Sequence, residues 1–253
     1  MMNATKSLRT LLTGASVALS LLAVSPAFAQ VNTGSASASG IEADLPLGLT
    51  VGPLPGSSVT GNGTDNDQVL DVNVVPILSI DALTTSATSN VDGSAGPKAA
   101  SSSASILNLD LGVPLAFGLS FDVLQSNSSV TGDAGSFAAI GNSNIVNLQG
   151  SGALAGLGLT AIDGSANQVL LNLAGVSVIA NRQTSSCDTF SCMITTDALF
   201  IDIANIATVT LASSSAMLAG ETAPIPEPST YAMMAIGLFG LGAVRKFKMR
   251  RPA

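Results

Sequence analysis

Between residues 30 and 220 the chain alternates apolar and polar residues with a period of two, which leaves few folds open to it. "LDVNV" sets Leu70, Val72 and Val74 on one face against Asp71 and Asn73. "LNLDL" repeats this with Leu107, Leu109 and Leu111, and "FGLSFDV" with Phe117, Leu119, Phe121 and Val123. Leu199, Ile201 and Ile203 alternate with Phe200 and Asp202. Successive side chains of a strand point to opposite faces, so this is the pattern of half-buried antiparallel strands. Turn-rich clusters, "GNGTDND", "SNVDGSAGPK", "SNSSVTGDAGS" and "DGSANQ", separate the runs. Helical periodicity is hard to find anywhere in this stretch. The expectation is an all-β chain folded as a single antiparallel β-sandwich-like domain of roughly ten to twelve strands. An irregular β-solenoid is the alternative, because Ser, Ala, Gly and Asn are abundant and aromatics are only 4%. "SSVTG" recurs at 57–61 and 128–132, and "QVL" at Gln68 and Gln168, but the separations differ, so no regular repeat is present.

The two ends read differently from this body. Residues 1–29 begin with Lys6 and Arg9, continue through an uncharged, mostly apolar stretch from Leu11 to Val24, and close on Pro26 and Ala27-Phe28-Ala29. Basic start, apolar middle and small residues at Ala27 and Ala29 are the layout of a secretory signal peptide, with signal peptidase cutting after Ala29. At the other end, 221–230 form an extended linker containing Pro226-Glu227-Pro228, which fixes two φ angles and withholds two backbone donors. Residues 231–244 are uncharged and would make a helix about 21 Å long, a minimal span of a hydrocarbon core about 30 Å thick. Residues 245–253 carry Arg245, Lys246, Lys248, Arg250 and Arg251. These cations stop the span, snorkel to the headgroups and hold the tail in the cytoplasm. The segment from 30 to 220 is thus expected outside the cytoplasm, exported by the leader and held by a transmembrane helix.

Seven of the nine basic residues lie in the two ends. Lys98 and Arg182 alone remain in residues 30–228 against all sixteen acids, a net charge of −14 (2 − 16). Such a surface repels phosphate backbones, so nucleic acid is excluded as a partner. The chain has no His and no Trp, and its single Tyr, Tyr231, belongs to the apolar tail. A serine nucleophile would have no histidine base, and a Ser-Lys pair would have to recruit Lys98 from the loop-like "GPKAASSS". Paired carboxylates could attack glycosides, but such clefts are lined by the Trp and Tyr this body lacks. No catalytic residue, cofactor or enzymatic activity is expected.

Two constellations bear on binding or stability. Cys187 and Cys192, in "CDTFSC", are expected to form a disulfide once exported, closing a loop so small that it contributes only about 2 kcal/mol. Asp65 and Asp67 in "GNGTDND" are the one weak candidate for a metal, calcium. The spacing lacks the third acid and closing Glu of an EF-hand, and a solvated turn is the preferred reading. Asp92-Gly93 and Asp163-Gly164 read as turn dipeptides.

"IPEPSTYAMMAIGLFGLGAVRKFKMRR", residues 225–251, closely resembles the PEP-CTERM sorting signal of Gram-negative bacteria in its Pro-Glu-Pro-Ser-Thr motif, apolar span and Arg-rich end. The resemblance implies that an exosortase, an integral-membrane transpeptidase-like enzyme, recognises Pro226, Glu227 and Pro228 and cuts near them. It further implies a transient inner-membrane anchor with the body in the periplasm, a final place at the cell surface or outside the cell, and an exopolysaccharide-making, biofilm-forming host. The body segments "GIEADLPLGLTVGPLP", "SIDALTTSATSN", "LAGVSVIANRQT" and "MITTDALFIDIANIATVTLASSSA" resemble, in that order, the choice-of-anchor P family, which implies a surface location and no known activity. The resulting expectation is a non-enzymatic surface or matrix protein, with a carbohydrate- or calcium-dependent adhesin as the alternative.

Overall fold

In the computed structural model, residues 30–45, 49–74, 78–113, 117–133, 135–152, 154–155, 162–173, 175–204, 207–221, 234, 237 and 238 are described. Twelve strands run through them: β1 (Gln30–Leu45), β2 (Leu49–Thr60), β3 (Asn62–Val74), β4 (Leu78–Asn90), β5 (Lys98–Val113) and β6 (Phe117–Asp133) in the first half. β7 (Ser136–Val146), β8 (Gln149–Gly152), β9 (Gln168–Leu173), β10 (Val176–Cys187), β11 (Ser191–Ile203) and β12 (Ala207–Glu221) complete the set. The all-β antiparallel expectation holds for the described residues between 30 and 221. Residues Ala29–Thr222 form one compact unit.

The strands make two antiparallel sheets. The first has the order β2-β1-β12-β11-β10-β9, and the second β3-β4-β5-β6-β7, with β8 following β7 along the edge of β6. Most neighbours in sequence are neighbours in space, as short hairpin connections require. β2 and β3, and β8 and β9, lie in different sheets, and β1 pairs with β12 as well as with β2, which brings both ends of the body together: Gln30 faces Glu221. The chain passes from the first sheet to the second at Gly61, whose φ of 80° is left-handed. Face to face, β1 packs on β4 and β5, β12 on β5 and β6, and β11 on β6 and β7.

The interior between the sheets is layered. One apolar cluster gathers Ile41, Leu83, Leu109, Phe121, Leu199 and Leu211, and a second gathers Val31, Val91, Val130, Cys192, Ile194 and Leu218. Buried hydroxyls lie between them on strand after strand. On β5, Ala104 belongs to the first cluster, Ala100 to the second, and buried Ser102 sits midway. Buried hydroxyls are costly unless paired, and most here are. Ser57 Oγ lies 2.7 Å from Thr85 Oγ1, Ser102 Oγ donates to the Ser215 carbonyl at 2.8 Å, and Ser128 Oγ to the Ser214 carbonyl at 2.9 Å. Ser214 Oγ in turn donates to Ser128 Oγ at 3.0 Å. Ser126 Oγ is buried without a partner among the described residues. Small residues also let the sheets approach closely: a Cβ on Gly141 of β7 would collide with Thr196 Oγ1 of β11.

Strict alternation fails within most of the long strands, and here the structure corrects the sequence reading. Leu107 is 39% exposed while Leu109 is 2% exposed, so the two leucines do not share a face. Asn108 between them has φ 49°, and this left-handed residue makes two successive side chains face outward before alternation resumes in the opposite phase. The same inversion occurs at Leu70-Asp71, where Leu70 is 59% exposed, and at Asp122-Val123, where Leu124 rather than Val123 turns inward. Asp81-Ala82 and Val146-Asn147 complete a line of inversions across the second sheet. The first sheet inverts along a matching line with paired inward residues, Gly40-Ile41, Leu211-Ala212, Ala198-Leu199 and Ala180-Asn181. Leu199, Ile201 and Ile203, which lie on one side of this line, do alternate as expected and are buried.

Candidate functional site

Several residues singled out from the sequence sit in strands where turns were expected. "GNGTDND" is the start of edge strand β3, the first half of "SNSSVTGDAGS" lies within β6, and Lys98 opens β5. On β5 and β6, inward Ser102 and Ser128 join the hydroxyl layer, which supplies partners that an apolar-periodicity reading does not anticipate. Asp65 and Asp67 do not converge. Asp65 Oδ2 accepts the Ser58 N–H at 2.8 Å and ties β3 to β2 of the other sheet, while Asp67 Oδ1 accepts the N–H of Gln68. Among the described residues no group of three or more His, Cys, Asp or Glu is placed to hold a metal ion. Lys98 Nζ is committed to Asp92 and to Ser94 Oγ at 2.7 Å, and its side chain is 5% exposed.

The expected turns at Asp92-Gly93 and Asp163-Gly164 are present, each within an Asp-Gly-Ser tripeptide. Both glycines have φ 77°, and in each case the Asp Oδ1 accepts the N–H of the Ser two residues on, at 3.0 and 2.8 Å. Cys187 and Cys192 face each other across the β10–β11 hairpin with Cα atoms 4.0 Å apart and are joined by a disulfide. Asp188 inside that loop accepts the N–H groups of Phe190 and Ser191 at 2.7 and 2.6 Å.

The outer faces of the two sheets differ in chemistry. On the first, Arg182 Nε and Nη2 hold buried Asp197 at 2.8 and 2.6 Å, the guanidinium stacks 3.4 Å over Phe200, and Glu42, Asp44 and Asp202 are exposed nearby. On the second, the outward residues line up in rows across all five long strands. One row reads Thr64, Thr88, Ser101, Ser129, Ile140; the next Asn66, Ser86, Ser103, Asn127, Asn142. The third reads Gln68, Thr84, Ser105, Gln125, Asn144. None of these positions carries charge. An apolar row on the inversion line, Leu70, Ala82, Leu107, Val123, Val146, borders them. A shallow groove opens on this face among Asn66, Gln68, Thr84 and Ser86, with Asp67 at its margin. The sequence reading missed the face altogether. Its signal was the polar half of each alternation, "SSSAS" and "NSNIV" among them.

The signal cleavage residues Ala27 and Ala29, the sorting residues Pro226, Glu227 and Pro228, the apolar 231–244 stretch as a whole, and Arg245, Lys246, Lys248, Arg250 and Arg251 lie outside the described residues. What the structure does fix is where their segments join the body: at Gln30 and Glu221, paired side by side. Among the described residues no helix is long and apolar enough to cross a membrane.

Residues 224–246 match the PEP-CTERM protein-sorting motif. Such a motif marks a chain for export and for processing by an exosortase, with a transient membrane hold through the C-terminal region. The match begins three residues after β12 ends. Among curated proteins none matches the chain. Among solved structures, Ail, the attachment invasion locus protein of Yersinia pestis, is similar at 4% identity over 77% of this chain and 99% of that one, with a TM-score of 0.18. Neisserial surface protein A is similar at 12% identity over 74% and 93%, with a TM-score of 0.15. Scores this low support no conclusion about fold or activity.

Proposed function

We propose that the chain is a non-enzymatic surface or extracellular-matrix protein of a Gram-negative bacterium, exported by residues 1–29 and released or attached after exosortase processing at Pro226-Glu227-Pro228. The observation that carries this reading is the sorting motif at 224–246, set immediately beyond a body whose two ends lie together. With Gln30 beside Glu221, the signal peptidase and exosortase cuts fall at the same end of the body, so both removals leave the rest of the fold undisturbed. The apolar 231–244 stretch and the basic cluster behind it supply the transient anchor, and the acidic body stays on the far side of the membrane. The body segments that resemble the choice-of-anchor P family support a surface location, and the PEP-CTERM motif supports the link to exopolysaccharide and biofilm. Support for a non-enzymatic role is chemical: the chain has no histidine, and Lys98 is already spent on Asp92 and Ser94.

Replacing Glu227 with Gln in an exosortase-bearing host is expected to leave an unprocessed precursor in the membrane fraction, while the wild type yields a product that starts at Gln30 and ends near the Pro-Glu-Pro motif. Mass spectrometry of both fractions reads this directly. A wild-type product that keeps Arg250 and Arg251 in the medium, or a Glu227→Gln variant of normal mature size, overturns the reading.

The alternative, an adhesin-type module, divides in two. For calcium, Asp65 and Asp67 offer separated carboxylates already engaged with backbone N–H groups. For carbohydrate, the three uncharged rows on the outer face of the second sheet are a specific observation in its favour.

A further inference from the structure

We propose that the outer face of the second sheet is a binding platform for an uncharged polysaccharide chain. The proposal rests on the exported-protein reading only for access to such a polymer; the ligand class is argued from the face itself. Fourteen of the fifteen outward positions in its three polar rows are Ser, Thr, Asn or Gln, Ile140 being the other. Thr64 and Thr88 pair at 3.3 Å, and the remaining polar side chains of the rows have no side-chain partner among the described residues. Hydroxyls and primary amides donate and accept, as sugar hydroxyls do, so a glycan can exchange bonds with them in either sense. A pyranose ring also has an apolar C–H face, and the Leu70–Leu107–Val146 row along one border offers matching apolar surface.

Charge selects the class. Residues 30–228 carry −14, yet no acid stands in the three polar rows: Asp71, Asp81, Asp110 and Asp122 of the same outer face lie beyond the apolar border row, and Asp67 is at the groove's margin on the edge strand. A polyanion is repelled by the body, and a polycation or basic protein finds no carboxylate in the rows to pair with. A protein partner needs buried aromatic or Arg anchors at the centre of its patch, and the rows provide none. A second copy would meet the same hydroxyls and amides with little apolar area to bury. A neutral polyhydroxyl polymer is the occupant that fits. Four strand spacings and three row steps give a surface of roughly 20 by 20 Å, enough for several consecutive sugars. Without stacking aromatics each contact is weak, and retention comes from one polymer engaging many copies.

The test is native affinity electrophoresis of the full chain in detergent, through gels containing dextran, a soluble β-glucan or a galactomannan, with alginate and chitosan as charged controls. Retardation is expected with at least one neutral polymer. The double variant Asn66→Lys, Asn127→Lys places charge on one row at exposed positions and is expected to weaken that retardation about tenfold, because a buried charge facing neutral hydroxyls loses hydration. Ser37→Lys with Thr184→Lys, exposed on the other face, is expected to leave it unchanged. Unchanged circular dichroism and thermal midpoint keep misfolding apart from lost binding. No retardation by any neutral polymer, equal loss from both variant pairs, or retardation by the charged polymers alone overturns the proposal. So does self-association of the wild type without polymer that Asn66→Lys, Asn127→Lys abolishes, since it would make a second copy the occupant. None of these outcomes bears on precursor size, so failure here is distinguishable from failure of the sorting reading.

Discussion

Three aspartates cap loops by the same device, an acceptor oxygen aimed back at the backbone. The Lys98 ammonium, then the Ser94 hydroxyl and N–H, hold the Asp92 carboxyl far below the usual aspartate range. Asp163 is lowered by the Ser165 hydroxyl and N–H, and Asp188 by the N–H groups of Phe190 and Ser191 followed by the Ser191 hydroxyl. Each folded-state value lies below the unfolded one, so each contribution to stability is complete above about pH 4 and is lost as the pH falls below it. Asp92→Asn is therefore expected to flatten the acid limb of a plot of thermal midpoint against pH while leaving the limb above pH 5 parallel to wild type. An unchanged acid limb would show that Asp92 is not coupled to folding. The turns around Asp92 and Asp163 were legible from the Asp-Gly dipeptides, because Gly tolerates the left-handed backbone. The role of Lys98 was not, since six residues separate it from Asp92 and its partner depends on how the loop closes.

A line of phase inversions crosses each sheet, and no single strand's sequence announces it. "LNLDL" has perfect apolar alternation, yet Asn108 turns left-handed and puts Leu107 outside. Asn and Asp populate that region at lower cost than other side-bearing residues, and Asn108 also donates to Asp81 Oδ2 at 2.7 Å. Asn147 repeats the arrangement toward Asp122 on the next pair of strands. Asn108→Val is expected to lose about 2 kcal/mol in urea unfolding, from backbone strain plus the missing bond, while Asn108→Gly loses less than half of that. Equal losses for the two variants would mean that the left-handed backbone is not what the position demands. Alternation read locally gives the strand but not its phase, because phase is fixed by cross-strand register and by the interior each face meets.

Acidic charge acts on the molecule as a whole. With a net charge of −14 over residues 30–228 and −7 over the full chain, self-repulsion opposes the folded state and depends on screening. Raising the salt from about 0.01 to about 0.1 M shortens the screening length from about 30 to about 10 Å, so the thermal midpoint of the full chain is expected to rise by a few degrees. A midpoint that is flat or falls would indicate that local pairing, as at Arg182–Asp197, outweighs the long-range term. The same distribution leaves three rows of hydroxyls and amides on the second sheet without charge, with carboxylates beyond their apolar border, a separation that composition averages away.

Residue order by itself determined the strand-rich class, the Asp-Gly turns, the disulfide partners in a chain with two cysteines, and the sorting motif at 224–246. Each of these depends on neighbours a few positions apart or on a simple count. Tertiary structure alone decided that "GNGTDND" is an edge strand, that Leu70 and Leu107 face outward, that buried serines form a layer between two apolar clusters, and that polar residues of five strands align into three uncharged rows. Those outcomes depend on pairings tens of residues apart, where hydrogen bonds and packing across the sheets override the local preference of the chain.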